Sequence, residues 1–135
     1  MSNEHTVKSY EEELRYLIDS VIKMGSLTES QLVDSMDAVI KVDKDSIDKI
    51  IKSDDEINKF RSKIDTQIMT LLVKRAPMAI DLRETISSLK ISQDLERIGD
   101  LSKSNAKKVK PLPLDLPEEL LGNLKRLGEL VIKQL

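Results

Sequence analysis

The chain has 135 residues with 39% apolar and 34% charged side chains, a balance typical of about one globular domain. Its 22 Lys and Arg against 24 Asp and Glu give a net charge of −2, and 2% aromatic residues provide few stacking platforms, so we expect no nucleic-acid binding. Cysteine is absent and no apolar run approaches the ~20 residues that span a bilayer, which predicts a cytoplasmic protein whose membrane contact is peripheral.

Apolar positions recur at three- and four-residue steps over most of the chain, as one face of a helix requires. In a first helix, from 10 to 42, these positions are Leu14, Leu17, Ile18, Val21, Met24, Leu32, Met36, Val39 and Ile40. Gly25 destabilises a helix by about 1 kcal/mol relative to Ala. We expect the helix to continue through Gly25, with a close approach of another backbone there; a break at Gly25-Ser26 is the alternative.

Short polar residues at 42–46 predict the cap of a second helix. Its apolar positions are Ile47, Ile50, Ile51, Ile57, Ile64, Ile68, Leu71 and Leu72. This helix ends at 74–76, and Pro77 suits the first turn of a third helix after a tight connection. The apolar positions of the third helix are Leu82, Ile86, Leu89, Leu95 and Ile98. It continues to about Lys108, and the prolines at 111, 113 and 117 predict a linker before a fourth helix.

No useful length of sequence alternates with period two, so we predict an all-α fold, an elongated antiparallel three-helix bundle. Residues 1–108 would form this bundle, 109–117 a Pro-rich linker, and 118–135 the first helix of a truncated second repeat. The repeat is indicated by 24–32, which align without a gap on 127–135 with Gly, Leu, Gln and Leu in common. Chance similarity of amphipathic helices is the alternative. A true repeat leaves an apolar face without partners, which favours a homodimer or domain exchange.

Carboxylates on the third helix are spaced for a hard cation. Glu96 and Asp100 are four residues apart and therefore share one helix face. A connection near residue 76 places Asp54 level with about residue 98, so that Asp54 and Asn58 face this pair. Mg²⁺, Mn²⁺ or iron accepts such oxygen ligands. The alternative is a solvated face with ion pairs to arginines such as Arg97.

Asp81 lies about 22 Å from Glu96 along the helix and cannot ligate the same ion, so we expect it to form local ion pairs, cap the helix or mark a partner surface.

Enzymatic chemistry finds little support in the sequence. The single histidine, His5, excludes the Glu-x-x-His pairs of a di-iron bundle and is expected to be a surface residue or a cap. No Cys nucleophile and no glycine-rich phosphate loop is present. We therefore expect a binding or regulatory module and no catalytic residue.

Two strings in this order, KRAPMAIDLR at 74–83 and DLERIGD at 94–100, with Met24-Gly25 and His5 upstream, resemble the first half of the PhoU family of phosphate-uptake regulators. The resemblance implies two tandem three-helix bundles, most of the second being absent from this chain. It implies a non-enzymatic negative regulator of phosphate uptake and of the phosphate-starvation response. Such an adaptor joins the ATPase of the Pst phosphate ABC transporter to a PhoR-type histidine kinase and reaches the membrane through these partners.

The same resemblance implies a metal role for five residues. Glu96 and Asp100 match the acidic motif that the family associates with multinuclear metal binding, which points to Fe, Mn or Mg. Asp54 and Asn58 match its acidic region on helix two, and Asp81 matches its Asp-Leu-Arg string, where metal and partner roles are both open. The alternative function is a helical-bundle scaffold unrelated to phosphate, which would bind no metal.

Overall fold

The computed structural model describes the backbone of residues 2–75 and 79–135 and the side chains of residues 7–74 and 80–135. Its helices are α1 (Ser2–Lys41), α2 (Ile47–Arg75), α3 (Ala79–Lys107) and α4 (Glu118–Gln134). The described ranges contain no strand, so the all-α prediction is confirmed. The predicted connection at Pro77 and the side chain of His5 lie outside the described residues.

Helix α1 is longer than predicted, because it begins at Ser2 rather than near Tyr10 and has 40 residues. Residues 2–9 contain neither Pro nor Gly, so nothing in this stretch interrupts a helix. The helix continues through Gly25, as expected. The close backbone approach expected there is wrong, since a Cβ at Gly25 would meet its nearest neighbour, Leu95 Cδ1, at an ordinary 3.9 Å.

The end of α1 is closed by two backbone hydrogen bonds. The Asp43 N–H donates to the Ala38 carbonyl at 2.9 Å, and the Val42 N–H donates to the Val39 carbonyl at 3.3 Å. This pattern is a Schellman motif, whose residue in the left-handed conformation is usually Gly. Here that residue is Val42, with φ of 50°. The Val42 side chain is buried in the core, and this burial offsets the cost of the unfavourable backbone angle.

Helix α2 begins after a local cap, in agreement with the prediction for residues 42–46. The Asp43 carboxylate accepts hydrogen bonds from the backbone N–H groups of Asp45 at 3.0 Å and Ser46 at 3.3 Å. The Ser46 hydroxyl also donates to this carboxylate. These hydrogen bonds, led by that from the Ser46 hydroxyl, lower the pKa of the Asp43 carboxyl from its ordinary value.

Helices α1, α2 and α3 each pack against the other two and form a bundle with two apolar clusters. The first cluster comprises Leu14, Leu17, Val21, Met24, Ile57, Ile64, Ile68, Leu71 and Leu95. The second cluster comprises Ala38, Val42, Ile47, Ile50, Ala106 and Val109. Leu112 and Leu116, on either side of Pro113, pack against the second cluster and fix the linker to the bundle.

The buried face of α3 differs from the predicted apolar face. It is lined mainly by small residues, which are Thr85, Ser88, Ser92, Gly99, Ser102 and Ala106. Two predicted core residues are exposed instead, Leu82 on α3 and Ile18 on α1. Small side chains let α3 pack closely on its neighbours. The hydroxyls of Thr85, Ser88 and Ser102 donate to carbonyls four residues earlier, so their burial leaves no unpaired hydroxyl donor.

Helix α4 packs against α1, and of the four helices α1 is its one neighbour in the described structure. Gly128 is buried at this contact, where the side chain of Met36 lies over it. Most large apolar residues of α4 stay exposed, namely Leu120, Leu127, Leu130 and Val131. An apolar face without partners agrees with the repeat interpretation, while the domain boundaries and the homodimer stay predictions.

Candidate functional site

A layer of polar side chains separates the two apolar clusters of the bundle. Gln31 of α1 and Asp54 of α2 are both fully buried in it. Gly99 of α3 adjoins Asp54, since a Cβ at Gly99 would lie 3.4 Å from Asp54 Oδ1 and 3.2 Å from Ile57 Cδ1. Three helices thus meet through polar groups at one level. The predicted register, with Asp54 level with about residue 98, agrees with this contact.

The Asp54 carboxylate is the centre of this layer. Its Oδ1 accepts a hydrogen bond from Gln31 Nε2 at 3.1 Å, and its Oδ2 accepts one from Asn58 Nδ2 at 3.3 Å. The Lys103 ammonium donates to Oδ2 as well and forms an ion pair. A buried carboxylate is costly unless it is paired and hydrogen-bonded, and these three donors meet that need. We call these four residues the Asp54 site.

Lys103 joins the Asp54 site to the surface. Its side chain is 26% exposed, while that of Asp54 is 0% exposed. The hydrogen bond to Asp54 raises the pKa of Lys103 above its ordinary value, with burial acting in the opposite direction and the charges of Asp54 and Asp100 assisting. Lys103 Nζ also lies 3.8 Å from Asp100 Oδ1. One ammonium therefore serves two carboxylates that the sequence assigns to a metal.

The other predicted ligands on α3 are less closely grouped. Glu96 forms an ion pair with Arg61 of α2, whose Nε lies 3.2 Å from Glu96 Oε2. This agrees with the ion-pair alternative, although the partner is Arg61 rather than Arg97. Arg61 also contacts Asp65 on its own helix. The Asp100 side chain is 56% exposed and faces solvent beside Lys103.

Asp81 stands apart from this group, as its spacing predicts. It lies in the first turn of α3, and its backbone carbonyl accepts the Thr85 hydroxyl at 2.8 Å. Its charge contributes to raising the pKa of Tyr10, after burial of that phenol, which places Asp81 beside the N-terminal half of α1. The sequence leaves a partner role open for Asp81. The position of Asp81 at the α2–α3 end of the bundle is compatible with that role.

The five residues are not gathered around one point in this structure. The two oxygens of Asp54 accept hydrogen bonds from three donors, and Glu96 forms an ion pair with Arg61. No group of three His, Asp or Glu among the described residues is arranged to hold a metal. An ion at Asp54 would have to displace Lys103. The metal role of Glu96, Asp100, Asp54, Asn58 and Asp81 therefore stays a prediction.

Sequence analysis does not identify two residues of the Asp54 site, Gln31 and Lys103. Gln31 follows Met24 and Thr28 at helical spacing, so a long polar residue stands at a core position, and that mismatch is a usable signal. Gln31 Nε2 also donates to the Gly99 carbonyl at 2.8 Å, which links α1 to α3. Lys103 gave no signal, because a lysine three residues after Asp100 is ordinary on a charged helix.

Comparison with known families identifies the bundle. A family model described as the PhoU domain matches residues 21–109. The chain belongs to the PhoU family. The match takes in the C-terminal half of α1 together with α2 and α3, and therefore every residue of the Asp54 site.

Curated relatives agree with this assignment. The phosphate-specific transport system accessory protein PhoU homolog of Rhizobium meliloti is 37% identical over 136 residues, covering 100% of this chain and 57% of that protein. The homolog of Caulobacter vibrioides is 38% identical over 129 residues, covering 95% of this chain and 56% of that protein. The chain thus spans little more than half the length of the curated relatives it matches.

A solved structure also has the same fold. The crystal structure of the phosphate transport system regulatory protein PhoU from Streptococcus pneumoniae is similar with a TM-score of 0.82 and 32% identity, over 92% of this chain and 58% of that one. The PhoU-like helical fold predicted from the resemblance is confirmed. No helix in the described part of the chain is both long and apolar enough to cross a bilayer.

Proposed function

We propose that the chain is a negative regulator of phosphate uptake and of the phosphate-starvation response. It acts as a non-enzymatic cytoplasmic adaptor between the Pst transporter ATPase and a PhoR-type histidine kinase, and it holds kinase output low when phosphate is plentiful. The observation that carries the proposal is the PhoU domain match across residues 21–109. The relatives' descriptions as phosphate-specific transport accessory proteins support it.

A surface at one end of the bundle suits the transporter contact. Large apolar side chains are exposed on both sides of the α2–α3 connection, and we call this set of residues the end patch: Met69, Val73, Ile80 and Leu82. Val73 is 77% exposed and Ile80 is 75% exposed. Exposed apolar patches on a charged protein commonly mark partner surfaces. We assign the end patch to the transporter ATPase.

The bundle supplies a rigid support for this contact. Helices α2 and α3 carry the end patch, and the buried layer at Asp54 and Gly99 fixes how far along one another these helices lie. A rigid patch can discriminate between transporter conformations, because it fits one arrangement of the ATPase better than another. The adaptor then signals the conformational state of the transporter by forming one complex or another. It catalyses no reaction itself.

The test is a charge placed on the end patch. We expect Val73→Asp combined with Ile80→Asp to abolish co-purification with the Pst ATPase and to derepress phosphate-uptake genes in high phosphate. Both side chains are exposed, so the melting temperature should stay close to that of the unmodified chain. The matched control is Ile22→Asp combined with Ile91→Asp, which adds the same two negative charges at apolar positions on α1 and α3 that are 60% and 49% exposed.

Two outcomes are separable in this experiment. Retained co-purification and repression by the double variant would reject the end patch while leaving the regulatory role intact. If deletion of the gene that encodes this protein left phosphate-uptake genes repressed in high phosphate, the regulatory role would be rejected, and the scaffold alternative would be favoured.

A further inference from the structure

We propose that the Lys103 ammonium is the resident cation of the Asp54 site and keeps this site closed to divalent metal ions. The inference concerns the bundle itself and does not depend on the proposed regulatory function. It reverses the expectation drawn from the spacing of the acidic residues, because the positive charge that balances Asp54 is covalently part of the chain.

The first support is the state of Asp54 itself. Its side chain has no exposed surface and lies between two apolar clusters, where an unbalanced charge is strongly unfavourable. Lys103 provides one positive charge in direct contact with Oδ2. Gln31 and Asn58 provide two further donors, one to each oxygen. The carboxylate is therefore neutralised and hydrogen-bonded without any bound ion.

The orientation of Gln31 is a second support. Its amide nitrogen, and not its oxygen, points to Asp54, because the same Nε2 also donates to the Gly99 carbonyl. The opposite orientation would set the amide oxygen against that carbonyl oxygen, so the hydrogen bonds fix the assignment. A metal site would direct the amide oxygen at the cation. Gln31 instead presents the N–H group that a carboxylate requires.

The position of Lys103 explains why a metal ion would be excluded. Its ammonium contacts Asp54 and lies 3.8 Å from Asp100, whose side chain is 56% exposed. A divalent cation between these two carboxylates would stand against an ammonium in a partly buried region, where like charges repel strongly. The ion would have to displace Lys103 from both carboxylates before it could bind.

The test compares the unmodified chain with Lys103→Met, which keeps a long side chain and removes the charge. Thermal unfolding is measured in EDTA and in about 1 mM MnCl₂. For the unmodified chain we expect the two midpoints to agree within about 1 °C. Lys103→Met should be less stable in EDTA because Asp54 is left unpaired, and Mn²⁺ should raise its midpoint by about 5 °C or more.

Two controls isolate the site. Lys107→Met removes an exposed lysine from the same helix, and its midpoint should not respond to Mn²⁺. Lys103→Met combined with Asp54→Asn removes both charges, so it should be more stable in EDTA than Lys103→Met alone and should lose the Mn²⁺ response. If Lys103→Met is unfolded in EDTA, recovery of its helical circular dichroism on addition of MnCl₂ is the expected result.

Either of two results would overturn the proposal. One is micromolar Mn²⁺ binding by the unmodified chain, measured by calorimetry, that Asp54→Asn removes. The other is a Lys103→Met chain, folded or unfolded in EDTA, that gains no response to MnCl₂.

Discussion

Val42 shows how a single residue balances backbone strain against burial. With φ of 50° it has a left-handed conformation that costs an L-residue roughly 1–2 kcal/mol. Its side chain packs in the second cluster with Ile47 and Val109. Burial of a valine side chain contributes about 1.5–3 kcal/mol, which is enough to offset the strain. The Schellman turn therefore keeps a β-branched residue where glycine is usual.

This balance predicts an unusual order of substitutions. Val42→Ala should lower the free energy of unfolding by about 1–2 kcal/mol, because burial is lost while the strain remains. Val42→Gly should be about 1 kcal/mol more stable than Val42→Ala, because glycine adopts this φ without strain. Urea denaturation measures both. At Val109, in the same cluster but without a positive φ, glycine should be the worse of the two substitutions. Equal effects of glycine and alanine at Val42 would contradict the strain argument.

At the scale of the helix, the glycines of α1 and α3 have different reasons for their presence. Gly25 in α1 has room for a methyl group, since the nearest atom to its Cβ position is 3.9 Å away. Gly99 in α3 has little room, because Ile57 and Asp54 lie within 3.4 Å of that position. Gly99 permits the close contact of α2 and α3 on which the Asp54 site depends.

The contrast gives a paired prediction for helix stability. Gly25→Ala should raise the free energy of unfolding by about 0.5–1 kcal/mol, through helix propensity and a less flexible unfolded chain. Gly99→Ala should gain less or lose stability, because the new methyl group must displace Ile57. Chemical denaturation of both variants decides the matter. A larger gain at Gly99 than at Gly25 would show that close packing of α2 and α3 is not needed.

At the scale of the whole molecule, α4 contributes little to the bundle. Helices α1 to α3 enclose both apolar clusters, and the linker adds Leu112 and Leu116 to the second one. Helix α4 contacts α1 alone among the described helices, largely where Gly128 meets Met36. Its exposed apolar residues would gain from burial by a partner, and they leave the bundle's own core unaffected.

Removal of residues 118–135 should therefore leave a cooperatively folded three-helix bundle. We expect the helical circular dichroism signal to fall in proportion to the 17 helical residues of α4. The melting midpoint should change by less than about 5 °C. A control deletion from residue 110 onward, which also removes Leu112 and Leu116, should lower the midpoint further. Loss of the cooperative transition in the shorter deletion would show that α4 is part of the folding unit.

Much of the architecture follows from local sequence. The sequence predicts four features that the structure contains. They are the helical periodicity, the polar cap before Ile47, the end of α3 before the prolines that follow Lys108, and the antiparallel register between Asp54 and residue 98. These features depend on neighbours within a few residues or on simple geometry around one turn. The start of α1 at Ser2 does not follow from local sequence, because a helix that extends into a polar N-terminus has no apolar pattern there.

By itself the sequence determined the all-α class, the helix order and the family, since apolar periodicity, capping residues and prolines act locally and the family strings are contiguous. Only the tertiary structure decided what the acidic residues do. The partner of Asp54 is a lysine 49 residues further along the chain, and the partner of Glu96 is an arginine on another helix. Charge balance in a buried site depends on which groups the packing brings within bonding distance, and spacing along one helix does not contain that information.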